Sequence, residues 1–256
     1  MGERDDEQIE GRNPVIEAIR GGHEINKILI AKGELKKPVN DLLALARGRG
    51  IPVNRVEGQV LDRMALTKNH QGVIALATAW KYASIEDIMA NAARREEPPF
   101  ILLLDGVEDP QNLGSIIRTA EAAGVHGIII PARRAAGLSA AVARASAGAV
   151  EHIPVARATN LTHTIEGLKK AGLWFTGAET EGTVQLHQAD LRGPIGVVTG
   201  SEGKGISRLV REHCDQIVRL PMWGRINSLN VSVATGIILY EVRRQRHTNL
   251  EPARTK

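Results

Sequence analysis

The spacing of apolar residues in the first third of the chain alternates between two periods. Apolar residues three and four apart predict helices, and short runs rich in Val and Ile predict strands. Asn13 is expected to cap the first helix, with Pro14 at its first position. The predicted helices are NPVIEAIR, PVNDLLALARGRG and GQVLDRMAL, and the predicted strands are INKILIA, IPVNRV and GVIALATAW. The pattern predicts a small α/β domain over residues 11–80.

The segment from residue 81 to residue 99 is predicted to be a linker. Its sequence SIEDIMANAARREEPP starts with helical spacing, becomes charged and ends on Pro98 and Pro99. Two consecutive prolines disfavour helix and mark a domain boundary. The acidic residues 1–10 and the residues 247–256 are expected to be tails, the first of them disordered.

Strand candidates dominate residues 100–246. They are FILLLD, GIIIP, HIPVA, LWFTGAE, IGVVTG and QIVRLP, and helical spacing separates most of them. This alternation predicts an α/β domain with a mostly parallel sheet covered on both faces. Ligands of such sheets bind beyond the carboxyl ends of the strands, so the informative loops are those that follow strands.

Two of these loops carry candidate chemistry. In DGVEDPQNLGSIIRTAEAAGV, Asn112 stands where a cap would begin a helix, and Arg118 lies nearly two turns further on. In IGVVTGSEGKGIS, a buried strand runs into Gly200, Gly203 and Gly205, whose backbone could approach a ligand closely. The spacing is neither that of a Walker loop nor that of the dinucleotide fingerprint. Taken singly, a helix cap, a solvated arginine and an ordinary strand-to-helix turn explain these residues equally well.

The third loop, RLPMWGRINSLNVSVATG, places polar residues at the threshold of an apolar helix. Asn227 and Ser228 precede Asn230, which is positioned to cap that helix. The helix is expected to pack closely against another helix or a second subunit because its early residues are small. These are Ser232, Ala234, Thr235 and Gly236.

Composition and charge narrow the class of protein. The chain has 256 residues, 43% of them hydrophobic, with a net charge of +4 and a single cysteine. One cysteine excludes an internal disulfide and disfavours a zinc cluster. The acidic start shows no signal-peptide pattern and no apolar run is long enough to span a membrane, so a cytoplasmic protein is expected.

The predicted first domain is the more basic part of the chain. Between Arg12 and Tyr82 there are twelve Lys and Arg residues and six Asp and Glu residues, an excess of six positive charges. Such an excess favours a polyanionic partner, although a solvated basic face would have the same composition.

Several other chemistries are disfavoured by missing motifs. The chain has no GxSxG elbow of a hydrolase and no HExxH or paired histidine spacing for a metal. Its seven aromatic residues are few for a platform that stacks single-stranded nucleic acid.

The three loops together resemble the signature motifs of the SpoU, or TrmH-like, branch of the SPOUT RNA methyltransferases. DPQNLGSIIRTAEAAGV, VVTGSEGKGIS and LPMWGRINSLNVSVATGIILYE match the three motifs in the order of the family. GRNPVIEAIR also resembles the start of the family's ribosomal-protein-like substrate-binding domain. Periodicity alone favours an open Rossmann-like sheet, whereas the resemblance implies a deep trefoil knot and a homodimer.

The resemblance also implies an activity and a set of site residues. It implies transfer of a methyl group from S-adenosylmethionine to an RNA ribose 2′-hydroxyl, without a metal. Arg118 is implied to activate the hydroxyl. The implied positioning residues are Asn112, Glu202, Ser228 and Asn230. The implied cofactor-binding residues are Thr199, Gly200, Gly203, Leu220, Met222, Ser228 and Leu229.

A guanosine of large-subunit ribosomal RNA is the substrate that the resemblance favours, because of the additional N-terminal domain. The alternatives are a transfer RNA methyltransferase, a resistance-type ribosomal RNA methyltransferase and, more remotely, a non-catalytic RNA-binding or ribosome-assembly protein.

Overall fold

Two β-sheets organise the computed structural model, which describes residues 7–33, 39–66 and 70–247. The strands are β1 (Glu7–Glu10), β2 (Ile25–Ala31), β3 (Val53–Val56), β4 (Val73–Ala77), β5 (Phe100–Asp105), β6 (Gly127–Pro131), β7 (Val155–Ala158), β8 (Trp174–Ala178), β9 (Val184–Gln185), β10 (Ile195–Gly200) and β11 (Gln216–Arg219). The helices are α1 (Arg12–Arg20), α2 (Asn40–Gly48), α3 (Gly58–Met64), α4 (Ile85–Arg94), α5 (Pro110–Ala122), α6 (Ala140–Ala145), α7 (Leu161–Lys170), α8 (Arg208–Glu212) and α9 (Val231–His247). All the helices and strands predicted over residues 11–80 are present, within a residue or two at most ends.

Unit 1 runs to Lys81 and also includes Gly137–His152. Its sheet has the order β1-β4-β2-β3, with β4 antiparallel to both of its neighbours and β2 parallel to β3. The core forms where the apolar stripe of α1 and the alternating residues of the strands are buried. Its fully buried members include Ile9, Val15, Ile28, Ile30, Leu42 and Ile74.

The segment Gly137–His152 belongs to unit 1, whereas the predicted boundaries placed it within the domain at residues 100–246. Helix α6 packs against α1 and β1 of unit 1. Glu151 accepts a hydrogen bond from Trp80 Nε1 at 2.9 Å and lies 3.5 Å from His23 Nδ1. The periodicity of apolar residues does not show that residues 137–152 belong to unit 1, because that assignment depends on contacts with residues distant in the sequence.

The predicted acidic tail at residues 1–10 is wrong for its last four residues. Residues 7–10 form β1, which pairs with β4, and Ile9 is fully buried. The Glu10 carboxylate is also buried and accepts hydrogen bonds from Gln8 Nε2 at 2.7 Å and from Leu66 N. These bonds explain how a charged segment joins a sheet. Residues 1–6 lie outside the described residues.

The predicted cap of α1 is also wrong. The helix begins at Arg12 and its N-cap is Gly11, so Asn13 and Pro14 lie inside the first turn. Gly11 has a φ of 96°, a conformation that glycine adopts readily and asparagine only with strain.

Unit 2 comprises Tyr82–Ala136 and the residues from Ile153 onward. Its seven strands have the order β7-β6-β5-β10-β8-β11-β9, and every neighbouring pair is parallel. Strand β10 lies at the centre and all of its residues are buried. The six predicted strands are confirmed, and the two-residue strand β9 was not predicted.

The helix predicted at the start of the segment 81–99 is confirmed as α4, but it packs into unit 2 and is not part of a linker. Helix α4 is capped reciprocally, since Ser84 Oγ accepts from Asp87 N at 3.0 Å and Asp87 Oδ2 accepts from Ser84 N at 2.8 Å. Ile88 is fully buried in one cluster with Ile101 and Leu103. Burial of the apolar face of α4 holds the segment in unit 2 although charged residues follow the helix.

The carboxyl end of α9 is fastened to the start of β5. Arg243 donates to Ala123 O at 2.6 Å, to Gly124 O at 2.8 Å and to Glu97 Oε2 at 3.0 Å. Three further bonds join Arg246 to the oxygens of Pro98, Pro99 and Gly193. Helix α9, which ends at His247, is therefore held at its last two turns; residues 248–256 of the predicted tail lie outside the described residues.

We expect His126 to make unit 2 sensitive to acid. Burial lowers the pKa of His126 to about 4, although Glu97 opposes this shift. His126 Nδ1 accepts from Phe100 N at 2.9 Å, so the folded state needs the neutral ring. The unfolded ring binds a proton below about pH 6.5, and the free energy of unfolding therefore falls from there towards pH 4.

The measurement is urea unfolding at pH 7 and pH 5. His126→Asn keeps an acceptor for Phe100 N and cannot protonate, so it should lose about 2 kcal/mol less stability across this interval than the wild type. The pKa of Glu97 lies below its usual 4.5, so its effect falls outside the interval. The exposed His163→Asn variant is the control; a His126→Asn profile parallel to the wild type would contradict the expectation.

Candidate active site

The carboxyl ends of three strands border one pocket in unit 2. The ends of β8, β10 and β11 supply the wall, and the residues just before and within the start of α9 close it. The cavity has a volume of about 690 Å³, within the range of small-molecule sites. The pocket lies beyond the carboxyl ends of these strands, where the sequence places the informative loops.

Most of the predicted site residues line this pocket. They are Thr199, Gly200, Glu202, Gly203, Leu220, Met222, Ser228, Leu229 and Asn230. Asn112 and Arg118 are not in its lining, and they occupy different environments. Asn112 reaches the pocket residues through hydrogen bonds, whereas Arg118 lies exposed on α5.

Asn112 does not cap α5. Asp109 is the N-cap, and its carboxylate accepts from Gln111 N at 3.2 Å and from Asn112 N at 3.1 Å. The side chain of Asn112 is therefore available for other partners. Its Nδ2 donates to Glu202 Oε2 at 3.3 Å, and its Oδ1 accepts from Asn230 Nδ2 at 2.9 Å.

Asn230 connects this amide to the start of α9. Its Oδ1 accepts from Ser232 N at 2.9 Å and from Ser232 Oγ at 2.6 Å. The predicted capping role is confirmed, and the amide nitrogen remains for Asn112. One residue from each of the three motifs, Asn112, Glu202 and Asn230, thus meets in one hydrogen-bonded chain.

The glycine-rich loop folds back onto the end of β10. Ser201 and Gly205 exchange two backbone hydrogen bonds of 3.0 Å. A Cβ on Gly200 would lie 2.0 Å from the Gly205 carbonyl carbon, so no larger residue fits there. Gly203 and Gly205 have φ values of 85° and 66°, which allow the tight reversal.

Two carboxylates at the ends of β5 and β8, the strands on either side of β10, fix the far side of this loop. Asp105 Oδ2 accepts from Ser207 N at 2.7 Å. Glu179 accepts from Ile206 N at 3.3 Å and from Arg211 Nε at 2.7 Å, and it also lines the pocket. The sequence interpretation missed Glu179, although it ends the strand candidate LWFTGAE and the strand-end rule would have selected it.

Helix α9 approaches the sheet and α5 through its small residues. Thr235 Oγ1 donates to Val231 O at 2.7 Å and lies 3.3 Å from Thr199 Oγ1. A Cβ on Gly236 would be 3.2 Å from Thr119 Cγ2 of α5. The close packing predicted for this helix is confirmed within the chain, next to the exposed Arg118.

A parallel sheet with a pocket at its carboxyl edge, bounded by a glycine-rich loop and a network of polar side chains, defines an α/β enzyme domain. Residues 99–240 match the model of the SpoU rRNA Methylase family. Residues 8–83 match the model described as RNA 2'-O ribose methyltransferase substrate binding. The chain belongs to the SpoU rRNA methylase family, and it is an RNA methyltransferase with the SPOUT fold.

Relatives and solved structures match over nearly the whole chain. YacO of Bacillus subtilis (strain 168), which carries a TrmH family tRNA/rRNA methyltransferase name, is 46% identical over 237 residues, covering 93% of this chain and 95% of YacO. An rRNA methyltransferase from Sinorhizobium meliloti has a TM-score of 0.76 at 31% identity, covering 94% of this chain and 88% of that one. The SpoU methyltransferase AviRb from Streptomyces viridochromogenes, in complex with the cofactor AdoMet, has a TM-score of 0.77 at 26% identity, covering 94% of this chain and 91% of that one.

Within residues 7–33, 39–66 and 70–247, no helix is long and apolar enough to cross a membrane. Within the same ranges, no group of three or more His, Cys, Asp or Glu side chains is arranged to hold a metal ion.

We expect Gly200→Ala to displace the glycine-rich loop, because the added methyl group would overlap the backbone of Gly205. Overpacking of this kind costs about 1–3 kcal/mol. Hydrogen exchange should show faster exchange of the Ser201 and Gly205 amides. Gly224→Ala is the matched control, since nothing lies within 4 Å of a Cβ built there. Equal exchange of these amides in the wild type and Gly200→Ala would show that the contact does not fix the loop.

Proposed function

We propose that this protein transfers the methyl group of S-adenosylmethionine to a ribose 2′-hydroxyl of RNA, in a guanosine of large-subunit ribosomal RNA. The observation that carries the proposal is the joining of Asn112, Glu202 and Asn230 beside the pocket. Three polar side chains from segments far apart in sequence meet beside this pocket, whereas a cavity without a function would more commonly be packed with apolar side chains. Because its substrate is RNA, we propose that the protein acts in the cytoplasm.

The pocket suits S-adenosylmethionine in size and chemistry. Its apolar members, among them Leu220, Met222 and Leu229, offer a surface for an adenine ring. The carboxylates of Glu179 and Glu181 offer partners for a cation. Backbone groups at Gly200, Leu220 and Leu229 hold the adenosine and methionine parts, and Thr199, Gly203 and Ser228 complete the cofactor site. When bound, S-adenosylmethionine supplies a methyl group activated by its sulfonium centre.

The polar network orients the ribose. A 2′-hydroxyl is a weak nucleophile, so much of the acceleration comes from holding it in line with the methyl group. Asn112, Glu202 and Asn230 hold one another's side chains and present fixed dipoles at the pocket edge, together with Ser228. Preorganised groups of this kind do not have to reorient during the reaction.

Arg118 acts through its positive charge and through the planar fork of N–H donors that its guanidinium presents. A guanidinium stays protonated in proteins and is therefore a poor general base. It binds a phosphate beside the target ribose and favours the ionised hydroxyl electrostatically. Arg118 is exposed and outside the pocket lining of its own chain, and in the homodimer proposed below it serves the pocket of the second subunit.

An exposed apolar stripe on α9 supports a homodimer. Val233, Ile237 and Tyr240 are 51%, 43% and 53% exposed, and their spacing puts them on one helix face. The opposite face, which includes Ile238 and Val242, is buried in the chain. A helix with apolar residues on both faces needs a second partner. The deep trefoil knot, which the family resemblance implies, remains a prediction.

Ribosomal RNA is favoured over transfer RNA by the extent of the similarity. The rRNA methyltransferase from Sinorhizobium meliloti matches across both units, including the region that corresponds to the substrate-binding model. The TrmH family name of YacO includes both kinds of RNA, so the experiment tests ribosomal RNA and transfer RNA as substrates.

The test supplies the protein with S-adenosylmethionine labelled in its methyl group and with ribosomal or transfer RNA. Label should enter large-subunit ribosomal RNA at one guanosine. The phosphodiester bond on the 3′ side of that guanosine should resist alkali, because a methylated 2′-oxygen cannot attack the phosphate. Arg118→Lys should lower kcat about 100-fold with little change in cofactor affinity, since lysine keeps the charge but not the planar fork.

The control is Arg208→Lys, an exposed arginine paired with Glu212. Label in transfer RNA would replace the proposed substrate, and label in a base would contradict the ribose reaction. An Arg118→Lys enzyme as active as the wild type would refute the role of Arg118.

We expect Ile237→Lys to weaken self-association at least tenfold, as substitutions at interface centres commonly do. Sedimentation should show a monomer with an unchanged circular dichroism spectrum, and methyl transfer should fall with the dimer population. Leu209→Lys, an equally exposed apolar position on α8, is the matched control. A fully active Ile237→Lys monomer would exclude a site shared between subunits.

A further inference from the structure

Trp223 is more exposed than any other large apolar side chain of the described residues. The indole is 94% exposed, and the neighbouring Ile226 is 70% exposed. Exposing a tryptophan forfeits the free energy of burying a large apolar surface, and it makes no contribution to the core of its own chain. Exposed aromatic side chains of this size are characteristic of interaction sites.

The position of Trp223 connects it to the pocket. Met222 lies immediately before it and lines the cavity, and the cavity lining resumes at Asn227. The intervening residues are all exposed and none of them lines the pocket. The segment 223–226 therefore lies at the rim of the pocket and is exposed to solvent.

The charge around the loop identifies the kind of partner. Residues 216–230 contain Arg219 and Arg225 and no Asp or Glu. Both arginines are exposed. An aromatic ring between two exposed cations complements a nucleotide, since the ring stacks on a base while the guanidinium groups meet phosphates. A hydrophobic protein partner would not require the paired positive charges.

We infer that Trp223 stacks on a base of the RNA substrate at the rim of the pocket and so positions the target ribose. This inference rests on the proposed RNA 2′-O-methyl transfer, and it adds a positioning residue outside the polar network. Arg219 and Arg225 bind the flanking phosphates. Trp223 does not line the pocket, so its effect is on RNA binding and not on the cofactor.

The first experiment reads RNA binding through fluorescence. The chain has three tryptophans, of which Trp80 is only 7% exposed and Trp174 is 53% exposed. In a Trp174→Phe background, the solvent-exposed emission comes from Trp223. Large-subunit ribosomal RNA and transfer RNA are titrated separately, and binding should quench this emission. Unchanged emission with an RNA that binds the protein overturns the inference.

The second experiment compares kinetic constants on whichever RNA the wild type methylates. Trp223→Ala should raise the KM for RNA about tenfold, with kcat and cofactor affinity nearly unchanged, and Trp223→Phe should recover most of the loss. Trp174→Ala is the matched control for removal of an exposed tryptophan.

The outcomes separate this inference from the proposed function. If the wild type methylates neither RNA, the proposed function fails, and the fluorescence titration still decides whether Trp223 meets RNA. If methylation proceeds and Trp223→Ala has the wild-type KM, the stacking role alone is overturned. If Trp223→Ala weakens RNA binding only by dissociating the dimer in sedimentation, the residue belongs to the subunit interface and the inference is likewise wrong.

Discussion

The side-chain amide of Asn112 joins three segments of the chain that are far apart in sequence. Its nitrogen donates to Glu202 in the glycine-rich loop, and its oxygen accepts from Asn230 at the start of α9. An amide side chain donates to a carboxylate and accepts from another amide at once, which an ionised carboxylate or an ammonium group cannot do. Each bond contributes only about 1 kcal/mol, but together they hold the ends of β5, β10 and α9 in one arrangement. The pocket and its polar edge depend on that arrangement.

Packing behind the pocket makes the amide network possible. Gly236 and Thr235 allow α9 to approach α5 and β10, and Gly200 allows the loop to lie against its own strand. Arg243 and Arg246 fasten the other end of α9 to carbonyl groups near the start of β5. Helix α9 is thus positioned at both ends, so that Asn230 arrives beside Asn112. Small residues and half-buried arginines therefore help to position the polar residues of the site.

Periodicity in the sequence was sufficient for most strands and helices, because each depends on residues close together in the chain. The strand-end rule also located the pocket and would have found Glu179. The failures over residues 7–10, 81–99 and 137–152 have a common cause in long-range contacts. A charged strand such as β1 is stable only because β4 pairs with it, and α4 is part of a domain only because Ile88 enters the core of that domain. Asn112 is of a residue type that commonly caps helices, but Asp109 caps α5, so the side-chain amide of Asn112 is available to the site.

The proposed function requires that the pocket at the carboxyl ends of β8, β10 and β11 binds S-adenosylmethionine. Hydrogen exchange measured with and without S-adenosylhomocysteine, the demethylated product, tests it without requiring the RNA substrate. The account predicts slower exchange confined to the backbone around residues 200–206 and 220–231, with little change elsewhere in unit 2 and none in unit 1. Protection concentrated outside these two segments, or no protection at a saturating concentration of the product, would contradict it.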